Sequence, residues 1–171
     1  MMTKQKQQSQ AKERFFWLLL YMAIFTATFA VSSEIDLPEE TATMMKDQMV
    51  EKLETAIESS DRSFIFLNNV LLGLVMFIPI IGVIFGIGTA FATGITVAGF
   101  NLDVPAYILL YTTPFGFIEL VSYSIAMSRS HYLVKRRKFL RKELRPTLIE
   151  IGIVVGLLFI GGFIESKMLG I

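Results

Sequence analysis

The sequence predicts an all-α protein: a polytopic transmembrane helical bundle of about five spans with an amphipathic helix outside the membrane. Three observations predict it. Of the 171 residues, 53% are hydrophobic and mean hydropathy is +0.58, well above a soluble domain of this size. Ser63–Leu102 runs for forty residues without a charge. A helix rises about 1.5 Å per residue and crosses a bilayer in about 20 residues, so this stretch holds two crossings and little loop. Finally, a net charge of +1 conceals strong segregation of sign along the chain. The absence of cysteine excludes disulfides, thiolate metal sites and cysteine nucleophiles.

The elements follow in order. Residues 1–14 set Lys4, Lys6, Lys12 and Arg14 against Glu13 in a Gln-rich run, and are expected to form a disordered, basic cytoplasmic tail. Phe15–Ser33 is the first span, with Trp17 and Tyr21 near its basic end, where aromatic rings favour the membrane interface. Val31-Ser32-Ser33-Glu34 is a poor signal-peptidase site, so this span is expected to stay uncleaved. Residues 34–62 hold nine acids against three bases. Pro38-Glu39-Glu40 suits a helix start, and Met45, Met49, Leu53 and Ala56 or Ile57 recur at helical spacing. This extracytoplasmic helix either packs its stripe on the bundle mouth or docks a partner; its negative charge argues against anionic lipid.

Residues 63–127 form the core membrane block. The uncharged stretch divides near Pro79–Gly82, and both two full helices and a re-entrant pair satisfy its length. Gly82, Gly86, Ala90, Gly94 and Ala98 repeat every four residues, keeping small side chains near one face for close helix packing. Asn68 and Asn69 lie about one turn inside the second span, Asn101 closes the third, and Asp103 is the only charge before the fourth. The fourth span, Val104–Met127, is broken at Thr112-Thr113-Pro114-Phe115-Gly116, because proline removes a backbone donor and clashes with the preceding turn. Glu119 follows the break, with Ser122 and Tyr123 on its own helix face. Pro114, Gly116, Glu119, Asn68, Asn69, Ser122 and Tyr123 are therefore the candidate intramembrane site. Glu119 serves there as a functional acid or as a structural hydrogen-bond hub.

Residues 128–146 carry eight Lys/Arg against Glu143 and are expected as a cytoplasmic basic loop. Lys135, Arg136, Arg137, Lys138, Arg141 and Lys142 would contact anionic lipid rather than nucleic acid. His131 stands alone there without a second candidate ligand. Residues 147–171 supply the fifth span, Thr147–Glu165, and a short tail. Gly152 and Gly156 form a further close-packing pair, and Glu150 lies near the cytoplasmic end. The tail and basic loop hold twelve of the sixteen Lys/Arg, so the positive-inside rule places the N-terminus in the cytoplasm and the C-terminus outside the plasma membrane. One span and then three separate the oppositely charged segments, and both numbers are odd, as that orientation requires.

At Phe64-Ile-Phe-Leu-Asn-Asn69, the Gly82/Gly86/Gly88 run, Thr93-Gly94 and Pro114-Phe115-Gly116-x-x-Glu119, the sequence resembles the stage II sporulation protein M family of polytopic membrane proteins. The resemblance covers roughly residues 64–134. It implies a non-catalytic membrane component of a cell-envelope complex, since the sporulation member looks like a membrane partner in an assembly containing a peptidoglycan hydrolase. Phe115 stands where the family typically has His, and Thr93 where it often has Asn. A role built on a His/Glu pair therefore does not carry over.

Two functions compete. One is a scaffold that recruits envelope partners, as a homodimer or hetero-complex, through residues 34–62. The alternative is a small ion or solute transporter or channel that uses the broken fourth helix and Glu119, closed by dimerisation. Catalysis is not expected, because the spans offer no histidine or lysine as a base, and no metal or cofactor is expected either.

Overall fold

The computed structural model describes residues 2–59, 62–100, 102, 104–136, 140–168 and 170. Asn101, Asp103, Arg137 and Lys138, and the side chains of Met49, Leu53, Ala56 and Ile57, lie outside the described part. The described residues form seven helices and no strand: α1 Met2–Ser33, α2 Glu39–Ser59, α3 Arg62–Val75, α4 Ile81–Ala98, α5 Tyr107–Thr112, α6 Pro114–Lys135 and α7 Leu140–Met168. The chain is all-helical, as its sequence predicts. Among the described residues, three helical segments are long and apolar enough to cross a membrane: Gln10–Ser33, Ile81–Ala98 and Arg141–Met168. The apolar part of α3, Phe66–Val75, is shorter. In α6 the apolar residues are diluted by Glu119, Arg129, Lys135 and four serines.

Helix α6 is nonetheless the centre of the bundle. It packs against α1, α3, α4, α5 and α7, and its residues 122–124 and 126–130 are buried without interruption. A helix buried all round needs no apolar stripe, but its polar atoms need partners. Ser122 and Ser124 meet that need within the helix, donating to the carbonyls of Ile118 (2.7 Å) and Leu120 (2.6 Å).

Pairwise contacts give the helix directions. Arg14 on α1 reaches the Ser128 carbonyl and Glu150 at one end of the bundle, which we call the basic end. At the other, acidic end, Gly94 on α4 faces Ser32 on α1, and Gly99 faces Ala42 on α2. Gly73 meets Leu158, and Gly162 meets Phe66, so α3 and α7 are antiparallel. Helices α1, α4 and α7 thus run from the basic to the acidic end, and α3 and α6 return.

The uncharged stretch turns at the basic end between two antiparallel helices, α3 and α4, which pack chiefly on α7 and α1 respectively. Its tip lies beside Ser130, whose hydroxyl donates to the Ile78 carbonyl at 2.7 Å. At the tip, Ile81 N–H bonds to the Pro79 carbonyl (2.9 Å) across Ile80, which has φ 70° and ψ −58°. That is a positive-φ γ-turn, a strained geometry for a β-branched residue. Gly82, Gly86, Ala90 and Gly94 are all buried along α4. A Cβ on Gly86 would lie 2.5 Å from Met127 Sδ, and one on Gly82 or Gly94 would collide with the Met76 carbonyl or the Ser32 hydroxyl. Ala98 is only partly buried.

Three features differ from the sequence reading. Helix α1 begins at Met2 rather than near Phe15, since its Gln- and Lys-rich start holds no glycine or proline to stop it. Residues 128–146 are largely helical: α6 continues to Lys135, and α7 begins at Leu140 with Pro146 inside it. The cause is ion pairing that binds this segment onto α6, described below. Lastly, Gly152 and Gly156 face open space, whereas Gly161 and Gly162 make the close approaches of α7, to Ile118 and Phe66.

Candidate functional site

The broken helix builds the mid-depth site. Helix α5 ends at Thr113, which is extended (φ −88°, ψ 128°), and α6 restarts with Pro114 in its first turn, where its missing donor costs nothing. Thr113 Oγ1 turns back to the Leu109 carbonyl at 2.6 Å. Gly116 keeps the corner tight, because a Cβ there would lie 2.5 Å from Thr113 Oγ1 and 3.1 Å from the Leu109 carbonyl. The corner sets the rotation of α6 and turns Glu119 toward α3.

Glu119 Oε1 accepts a hydrogen bond from Asn69 Nδ2 at 2.5 Å. Asn69 is buried, whereas Asn68 is exposed and reaches only the Asn69 amide oxygen, at 3.4 Å. Tyr123, one turn further along α6, is 4% exposed and stacks on Phe25 with centroids 5.9 Å apart. Ser122 is buried but donates to its own helix, away from Glu119.

A second carboxyl joins the cluster. Glu165 of α7 lies within electrostatic range of both Glu119 and Tyr123, and its Oε2 is buried without a hydrogen-bond partner. The sequence reading used Glu165 only to close the last span. A second acid in the last two turns of an apolar helix was the available signal. The site thus comprises one carboxyl held by an amide, a second with an orphan oxygen, and a buried phenol. It can hold a proton or accept a small cation.

A larger polar site lies at the basic end. Arg129 of α6, 3% exposed, forms a bidentate pair with Glu150 (Nε to Oε2 2.8 Å, Nη2 to Oε1) and reaches Glu143 at 3.1 Å. Arg14 adds a 2.6 Å bond to Glu150 and a 3.0 Å bond to the Ser128 carbonyl. The guanidinium groups of Arg14, Arg129 and Arg136 all approach the Tyr132 ring, at 5.1–5.5 Å from its centroid. The network ties α1, α6 and α7 together and converts the expected loop into helix. Its signal was the seven-residue spacing of Glu143 and Glu150, two turns on one face. His131, expected to be isolated, sits 4.0 Å from the Trp17 ring centroid and shares a 3.0 Å hydrogen bond with Tyr21. Of the basic residues expected at lipid, Lys135 pairs with Glu13, Arg136 lies on Tyr132, and Arg141 and Lys142 are exposed.

The acidic end carries a cavity of about 610 Å³ between α2, the α1–α2 link and the end of α4. Glu34, Asp36, Glu39 and Lys46 supply its charged rim, with Leu37 and Val97 among its apolar residues. Helix α2 leaves Glu40 exposed before Ala42, and Met44, Asp47, Val50, Glu51 and Glu54 exposed beyond it.

No curated protein and no solved structure matches the chain. A family model does: that of stage II sporulation protein M, over residues 14–168. That match takes in the broken helix, both polar sites and nearly the whole chain, and the protein belongs to the stage II sporulation protein M family.

Proposed function

We propose that the protein is a non-catalytic scaffold of the plasma membrane that holds an envelope complex through α2 and the acidic cavity beneath it. In this reading the chain crosses five times, with its N-terminus in the cytoplasm and α2 outside. The observation that carries the proposal is the exposed row Glu40, Asp47, Glu51 and Glu54 beside uncovered Met44 and Val50. A water-exposed surface that mixes acids with apolar side chains suits a basic, amphipathic segment of a partner. The Asn69–Glu119 hydrogen bond supports the same view, because it gives the intramembrane acid a structural partner. The test is co-purification of the full-length protein from native envelopes. Reversing Glu40, Asp47, Glu51 and Glu54 to Lys should remove the co-purifying membrane or envelope proteins, while Arg141→Gln with Lys142→Gln should not. Unchanged co-purification after the reversal would overturn the proposal.

One observation favours a second reading, transport: the unpartnered oxygen of Glu165, a carboxyl within electrostatic range of Glu119. That reading requires ion flux in proteoliposomes that Glu119→Gln abolishes.

A further inference from the structure

Helices α1 and α7 both pack on α6 and are joined at the basic end by the Arg14–Glu150 pair. Between them lies a groove of about 290 Å³. Its apolar part is formed by Phe15 and Leu18 of α1, Ile125 of α6 and Ile153 of α7. Phe15 is 61% and Ile153 49% exposed, so the groove opens sideways, out of the bundle. Both flanking helices belong to segments able to cross a membrane, so on the membrane placement proposed above, on which this inference rests, the groove opens to bilayer rather than water.

The polar end of the groove is built from Arg14, Ser128 and Glu150. Ser128 is 1% exposed, and its hydroxyl has no hydrogen-bond partner. Buried hydroxyls are rarely left so, and Ser128 is among the residues that line the groove, so an acceptor seated at its inner end would satisfy a donor that the protein leaves unmet. The Glu150 carboxylate would repel an anion, but it is neutralised by N–H groups from both Arg14 and Arg129. Arg14 spends two of its five N–H donors on Ser128 and Glu150. An unpartnered hydroxyl and a guanidinium, at one end of an apolar groove open to lipid, match a phosphodiester joined to an acyl chain.

We propose that this groove is a binding site for one bilayer phospholipid. The phosphodiester oxygens accept from the Ser128 hydroxyl and the Arg14 guanidinium, and one acyl chain lies along Leu18, Ile125 and Ile153. The site differs from the basic residues 135–142 that the sequence offers to anionic lipid, since it grips a single molecule between two helices.

The test is native mass spectrometry of the full-length protein, released from detergent after incubation with dioleoyl phosphatidylglycerol or, separately, dioleoylglycerol, which lacks the phosphate. The wild type should retain one phosphatidylglycerol, and dioleoylglycerol about 10-fold less, as loss of a charge-assisted contact implies. Ile153→Trp, at an exposed position, should fill the groove and reduce retention by about 10-fold. Ser128→Ala should also lower retention, yet leave the melting temperature of the lipid-free protein unchanged or raised, because its hydroxyl bonds to nothing in the protein. Equal retention of the two lipids would overturn the phosphate assignment. Equal retention by wild type, Ile153→Trp and Ser128→Ala would overturn the site.

Discussion

The two polar clusters on α6 solve opposite problems. At the basic end, two guanidinium groups face two carboxylates, and Arg129 contributes three bonds to two of them. At mid-depth, two carboxyls share a region with one amide donor, no cation pairs with either among the described residues, and one oxygen is left unpartnered. The first cluster is a clamp, in which nearly every charge is answered on a neighbouring helix. The second is incompletely satisfied, and such groups persist where they hold architecture in place or await a ligand. The contrast teaches that charge count is a poor guide to role: the cluster with more charges is the better compensated.

The largest effect should come from breaking the clamp. Arg129→Met removes the buried partner of two half-buried carboxylates, of which Glu150 keeps Arg14, and should cost about 3 kcal/mol, read as a fall in the melting temperature of the purified protein. Arg129→Lys should recover only part of the loss, because an ammonium cannot reproduce the bidentate fork. A change under about 0.5 kcal/mol would remove the clamp from the account.

The mid-depth site should respond less and asymmetrically. Asn69→Leu removes the one donor to Glu119 and should cost about 2 kcal/mol, whereas Glu119→Gln keeps an acceptor and should cost under about 1 kcal/mol. A double-mutant cycle on the pair should return a coupling well above the scatter for independent sites, about 0.5 kcal/mol. Glu165→Gln should leave stability unchanged or raise it by about 1 kcal/mol, since it removes a carboxylate whose Oε2 has no partner. A large loss there would place Glu165 inside a satisfied network instead.

Positions away from both clusters give the smallest shifts. Gly156→Ala, facing open space in mid-helix, should gain up to about 1 kcal/mol. Ile80→Gly should gain about 1 kcal/mol by relieving the positive φ at the hairpin tip.

Much of the architecture was legible because its signals are local. Forty uncharged residues give a hairpin, a four-residue ladder gives the α4 contact face, and proline after two threonines gives the α5–α6 corner. The Glu119–Asn69 contact was legible as a set of candidates, but only folding distinguishes buried Asn69 from exposed Asn68, neighbours that point a third of a turn apart. The clamp was illegible for a different reason. Arg129 sits in a basic run, where topology rules treat every cation alike. Its burial depends on Glu143 and Glu150 of the following helix and on Arg14 more than a hundred residues earlier. Gly152 and Gly156 mark a limit of pattern reading, since spacing identifies a smooth face without saying whether another helix covers it.

The most direct test of the scaffold account uses the absence of cysteine in the chain. Glu119→Cys and Met44→Cys each introduce a single thiol, and both are treated with a membrane-impermeant maleimide in sealed vesicles of each orientation. The account predicts that Cys at 44 reacts from one side only, as a surface presented to partners must. It predicts that Cys at 119 reacts from neither side, as a dry contact with Asn69 must. Rapid labelling at 119 from either side would reveal a water path to the acid, contradict the scaffold account and make transport the reading to pursue.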